Sequence, residues 1–180
     1  MNFERFTERS KSVMQSVQTL ALRRNHQQIN PEHLLKCLLD DDSGVVKSLI
    51  RSSGAKVENI QTAVDALIAK NPEVEGSGAS SVHIAKDLAK IIDQAEQIAK
   101  KSGDAYVTLE RLLQAITLVP NNNADKILKE NGVTAEKLNQ VINNMRKGRT
   151  ADSASAEDSF EALKKYARDL TEMARLGKLD

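Results

Sequence analysis

"INPEHLLKCLL", Ile29 to Leu39, is followed 78 positions later by "VTLERLLQAIT", Val107 to Thr117. The second residue of each is polar and suited to capping a helix, and apolar residues follow at three- and four-residue spacing, the pattern of a helix that turns one face to a core. Leu34 and Leu35 align with Leu112 and Leu113, and the same offset extends without a gap from Val13 to Ile68. Val13, Val17, Leu20 and Ala21 fall on Ile91, Ala95, Ile98 and Ala99; Ile60, Val64 and Leu67 fall on Leu138, Ile142 and Met145. Apolar meets apolar at nearly every step, so the chain is an internal repeat.

The periodicity predicts four helices per copy, near 3–24, 31–40, 45–53 and 57–69 in the first. Asn30 is placed to cap the second helix, with Pro31 at the first helical position, where a missing N–H costs nothing. In the second copy Thr108 takes the cap. Gly54 and Gly132 sit just past the third helix of their copies, where a left-handed residue ends a helix. A helix pair cannot bury its apolar stripe alone, so the two copies are expected to pack about an approximate two-fold axis around one core. The expected fold is therefore all-α, with repeats over 1–70 and 83–148, a linker over 71–82, a flexible linker over 149–158, and a further helical segment over 159–180. The linkers are read from "NPEVEGSGASS" and "KGRTADSASAEDS".

A chain of 180 residues can bury roughly 70% of the surface it exposes when unfolded, enough for a core without metal or disulfides. Aromatic residues make up only 3% and Trp is absent, which points to helices rather than a β-sandwich. The single cysteine, Cys37, excludes an internal disulfide and gives no sign of an oxidising compartment, so a cytoplasmic location is expected. No apolar run approaches the roughly 20 residues of a membrane span, and the first residues lack the pattern of a secretory signal. Lys plus Arg, 26, nearly balance Asp plus Glu, 25, and are spread along the chain, which disfavours a nucleic-acid partner and favours proteins.

Several residue groups invite chemistry and are better read as structure. Gly76 and Gly78 lack the preceding strand and following Lys of a phosphate loop. His33 and Cys37 share a helical face, but no second pair has ligand spacing, and Cys37 stands where the other copy has Ala115. Asp40 to Asp42 lack the twelfth-position Glu of a calcium loop, where Arg51 stands. A hydrolase using Cys37 with His33 would need a third orienting group that the sequence does not supply. No catalytic, cofactor or metal residues are assigned.

The differences between the copies carry more information. Asp104 stands opposite His26 and Thr7 opposite Ala85, so neither polar residue is needed to build the repeat. Glu110 matches Glu32, and both sit in a first helical turn that favours an acid. Ile92 adjoins the core-facing Ile91, and Leu109 replaces Pro31, giving the second copy an apolar surplus that would bind a partner if exposed.

The tandem copies with "GDAYVTLERLL", followed by a linker and "LKKYARDLTEMARLGKLD" (Leu163 to Asp180), closely resemble the start of the ClpB-type disaggregases of the AAA+ class. The resemblance covers the whole chain and implies that residues 159–180 enter the first ATPase domain. It implies that this fragment neither binds nor hydrolyses ATP, while the full-length relatives use ATP and Mg. It implies recognition of unfolded or aggregated protein through an apolar groove, with Thr7, Asp104 and Glu110 at characteristic polar positions and Ile92 at an apolar one. Leu109 and Arg111 complete the expected site, Arg111 being a departure where relatives can carry an apolar side chain. It also implies homohexamers and cooperation with the DnaK system in full length, with the fragment itself monomeric. The runner-up is the adaptor-docking N-terminal domain of a ClpA- or ClpC-type protease unfoldase.

Overall fold

The computed structural model describes residues 2–75, 82–158 and 160. The first repeat supplies α1 (Glu8–Arg23), α2 (Pro31–Leu39), α3 (Val45–Ser52) and α4 (Val57–Ala69). The second supplies α5 (Lys86–Lys101), α6 (Leu109–Leu118), α7 (Asn123–Glu130) and α8 (Ala135–Arg146). The expected order of four helices per copy is the one found, with one boundary corrected. The first helix begins at Glu8 rather than near residue 3, because Thr7 is extended (φ −63°, ψ 163°) and its side chain accepts the N–H of Ser10 as an N-cap.

The residue ahead of that cap does something the helical reading did not contain. Phe6 forms a parallel bridge with Val107, while β1 (Gln28–Ile29) pairs in parallel with β2 (His83–Ile84), Ile29 opposite Ile84. In the repeat register Phe6 matches Ile84 and Ile29 matches Val107, so one contact is made twice, once from each copy to the other. Extended backbone at a helix entry still needs partners for its N–H and C=O groups, and each copy finds them in the other.

The quoted stretches form the centre. Every residue of α6 from Leu109 to Thr117 is buried, and in α2 only Lys36 is not fully buried. A helix carrying an apolar stripe becomes buried all round only if other elements cover its remaining faces. For α2 these are α1 and α4 of its own repeat with α5, α6 and α7 of the other; for α6 they are α5 and α8 with α2 and α3. The α2–α7 contact matches α3–α6, and α4–α7 matches α3–α8, which is the expected pseudo-two-fold arrangement. Gly54 and Gly132, at φ 90° and 83°, end α3 and α7 as expected.

Both repeats leave along the same path. Glu73 bridges His26 after the first, and Ala151, its equivalent in the register, accepts the N–H groups of Ala105 and Tyr106 at 2.9 and 3.2 Å after the second. Ala154 accepts the N–H of Glu8 at 2.8 Å, a helical turn starts at Ala156, and Ala151 and Ala156 are buried. The helical segment expected over 159–180 lies outside the described residues apart from Phe160.

Candidate functional site

Arg146, the last residue of α8, projects into a pocket of acids beside the start of α6. Its Nη1 donates to Asp104 Oδ1 at 2.7 Å, its Nε and Nη2 reach Glu110 Oε1 at 2.8 and 2.7 Å, and Nη2 also donates to Thr108 Oγ1 at 3.0 Å. The second oxygen of Asp104 accepts from Arg111 Nε at 3.0 Å, and its first also accepts the Ala151 N–H at 2.9 Å. All four charged side chains are buried. Burial works to raise the Asp104 carboxyl, but hydrogen bonds from Arg146, the Ala151 N–H and Arg111 outweigh it and hold Asp104 below the usual range. Burial likewise opposes the charge on Arg146, and Glu110 and Asp104 overcome it.

With its hydroxyl engaged by Arg146, Thr108 occupies the N-cap position of α6 without a capping side-chain bond. The cap comes from Glu157. Its Oε2 accepts the Leu109 N–H at 3.0 Å and the Thr7 hydroxyl at 2.8 Å, joining the starts of α1 and α6 through one carboxyl oxygen. Burial, then the charge of Glu110, push the Glu157 carboxyl up from 4.5 to about 7, although three hydrogen bonds pull the other way. Phe160 lies under the guanidinium groups of Arg146 and Arg149, 5.0 and 5.1 Å from ring centroid to Cζ.

The first repeat builds the corresponding place differently. His26 and His33 take the positions of Asp104 and Arg111, and they too contact each other, Nδ1 to Nε2 at 2.8 Å. Because His33 Nδ1 accepts the Asn30 N–H at 2.9 Å, its Nε2 carries the proton and donates to His26. Burial first, and the adjacent His26 second, lower His33 to about 4, so the pair is neutral where the second repeat has an ion pair. Ile68 stands in place of Arg146, Ala85 in place of Thr7, and Pro31 in place of Leu109. Alanine has no hydroxyl and proline no N–H, so neither donor to Glu157 exists in the first copy.

The six expected site residues divide accordingly. Thr7, Asp104, Leu109, Glu110 and Arg111 meet around the start of α6, whereas Ile92 lies on α5 within the shared core. None presents an open surface: Thr7, Leu109 and Glu110 are fully buried and Ile92 is 2% exposed. The apolar surplus at Ile92 and Leu109 therefore packs inward in this state. Sequence reasoning missed Arg146 and Glu157. Arg146 could have been found, since a charge replaces an apolar repeat position; Glu157 could not, lying in a stretch with linker composition. Cys37 is buried with its thiol pushed up to about 12, chiefly by burial, which leaves it without the thiolate that a nucleophile needs. Both ring nitrogens of His33 are engaged, and no group of three or more candidate metal ligands occurs among the described residues.

The family model of the Clp repeat (R) N-terminal domain matches residues 5–131. The chain belongs to that family. Among curated relatives, the chaperone protein ClpB of Mesorhizobium japonicum is 54% identical over all 180 residues, and that of Agrobacterium fabrum 52% over the same span. The chain spans about a fifth of their length, 21% and 20%. The fold resembles the crystal structure of the Hsp104 N-terminal domain from Candida albicans, with TM-score 0.75 and 19% identity over 85% of this chain and 99% of that one. The N-terminal domain of the ClpV1 ATPase from E. coli follows at TM-score 0.66 and 21% identity, covering 77% of this chain and 84% of that one. Within the Clp repeat family fold, the Asp104, Glu110 and Arg146 cluster marks the second repeat as the chemically distinct half.

Proposed function

We propose that the chain is the client-recognition domain of a ClpB-type chaperone and takes up unfolded or aggregated polypeptide at the start of α6. The observation that carries this reading is the 54% identity to a chaperone protein ClpB along the whole chain. The asymmetry of the repeats supports the location: Thr7, Asp104, Leu109 and Arg111, each a different residue in the first copy, gather with Glu110 at the start of α6.

Capture by such a surface is weak for a physical reason. Apolar area removed from water contributes roughly 25 cal/mol per Å², while ordering an extended client opposes binding. Weak capture suits a domain that passes its client onward. In the full-length protein, several such domains around a homohexamer would restore affinity by avidity, and an ATPase fuelled by ATP and Mg would thread the client in cooperation with the DnaK system. The site is assigned no catalytic role and no cofactor.

The test is an NMR titration of the labelled chain with reduced, carboxymethylated lactalbumin as an unfolded protein. Saturable shifts around Thr7, Ile92, Asp104, Leu109, Glu110 and Arg111 are expected. An unchanged spectrum from folded protein, with the Glu157→Ala variant as well as the unchanged chain, would overturn the reading and favour adaptor docking of the ClpA or ClpC kind.

A further inference from the structure

The recognition surface just proposed is covered by the chain itself. Residues 151–158 and Phe160 cross it, and the Leu109 N–H donates to Glu157. Their attachments run along the whole segment: Ala151 N–H to Asp104, Ala154 carbonyl to Glu8 N–H, Glu157 to Thr7 and Leu109, Asp158 to Arg9 at 2.6 Å, and Phe160 under two arginines. Among the described residues, two buried oxygens have no hydrogen-bond partner in this cluster, Glu157 Oε1 and Glu110 Oε2. Each belongs to a carboxyl group whose other oxygen is fully used. A buried carboxyl group with one oxygen unpartnered is more easily accommodated neutral than charged, the direction found for Glu157.

We propose that residues 151–158 with Phe160 are an intramolecular latch over the client surface, held shut by the Glu157 carboxyl on the Thr7 hydroxyl and the Leu109 N–H. The gating half of this inference rests on the client reading; the latch itself does not. Opening frees Thr7, the α6 N-terminus and the Asp104 cluster together, because a single segment covers all of them.

The charged groups around the latch fix the sense of its pH dependence. Glu110 and Arg111 face it from α6, Arg146 from α8, Glu8 and Arg9 from the start of α1, and Asp104 from the loop before α6, with Arg149, Asp152 and Asp158 on the segment itself. Arg146 is committed to Asp104 and to the other oxygen of Glu110, and Arg9 to Asp158, so none of these cations neutralises Glu157. Between 4.5 and about 7 the docked carboxyl holds a proton that the released one does not. Raising the pH through that window therefore weakens the latch, and its strength levels off above it.

The experiment uses the full chain and three forms: unchanged, Glu157→Ala and Glu157→Gln. Leu109 is the first residue of α6 and has no intrahelical acceptor, so exchange of its amide, corrected for the intrinsic rate, reports the latch directly. Glu157→Ala is expected to speed that exchange and to tighten binding of carboxymethylated lactalbumin by about tenfold, the scale of two lost hydrogen bonds. Glu157→Gln, a neutral isostere whose amide oxygen can accept from Leu109 and Thr7, is expected to stay latched and to lose the change seen between about pH 6 and about pH 8. The latch is overturned if Leu109 stays protected in Glu157→Ala, and gating is overturned if exchange speeds while client affinity is unchanged. Faster exchange with no client binding to any form would sustain the latch and overturn the client reading instead.

Discussion

Arg146 answers two carboxylates at once, with Asp104 on Nη1 and Glu110 on Nε and Nη2. Arg146→Ala leaves Glu110 buried without its cation and Asp104 with Arg111 alone, and breaking a buried pair in this way costs about 3–5 kcal/mol. A urea unfolding curve should show the midpoint fall accordingly, with the slope unchanged. Arg146→Lys should recover only part of the loss, since an ammonium lacks the planar fork that spans both acids. Residue for residue, legibility followed the repeat register: Thr7, Asp104 and Leu109 stood out because their equivalents are Ala85, His26 and Pro31. Arg146 against Ile68 carried the same signal. The partners themselves were not legible, because the Glu157 to Thr7 bond joins residues 150 positions apart, and neither side chain's neighbours in sequence encode it.

At the scale of elements, helix positions were legible because a 3.6-residue period extends over eight residues or more and is bounded by caps. Gly132 illustrates a boundary with a physical cause: at φ 83° it ends α7 in a conformation that a Cβ disfavours. Nothing crowds the site, the nearest atom to an added Cβ being Lys137 Nζ at 4.0 Å. Gly132→Ala is therefore expected to lower stability by about 1–2 kcal/mol through backbone strain alone, read as a lower thermal midpoint with an unchanged far-ultraviolet dichroism spectrum. The pairing of β1 with β2 left no trace in the sequence, since two residues cannot display a period of two. The start of α1 was placed too early for a related reason. "NFERF" is compatible with a helix, and only the bridge from Phe6 to Val107 draws it into extended backbone.

For the whole molecule, the interlocking of the copies is the consequential feature. Each central helix is covered partly by the other repeat, and each repeat's entry segment is hydrogen-bonded to the other. A polypeptide of residues 1–75 alone would expose the faces of α2 that α5, α6 and α7 cover, so it is expected to lack dispersed NMR signals. The complete chain should unfold in one transition that helical and tertiary probes report coincidentally. A stably folded single repeat would show that the copies are independent domains. The sequence by itself determined the helical class, the two copies, their register and the places where they differ, because periodicity, caps and repeat symmetry are local or translational properties. Only the tertiary structure decided that the differing residues converge on the start of α6, that two histidines replace an ion pair in the first copy, and that Glu157 closes the place. Those outcomes depend on burial and on contacts between residues far apart in the chain, where desolvation turns single hydrogen bonds and charges into determinants of structure.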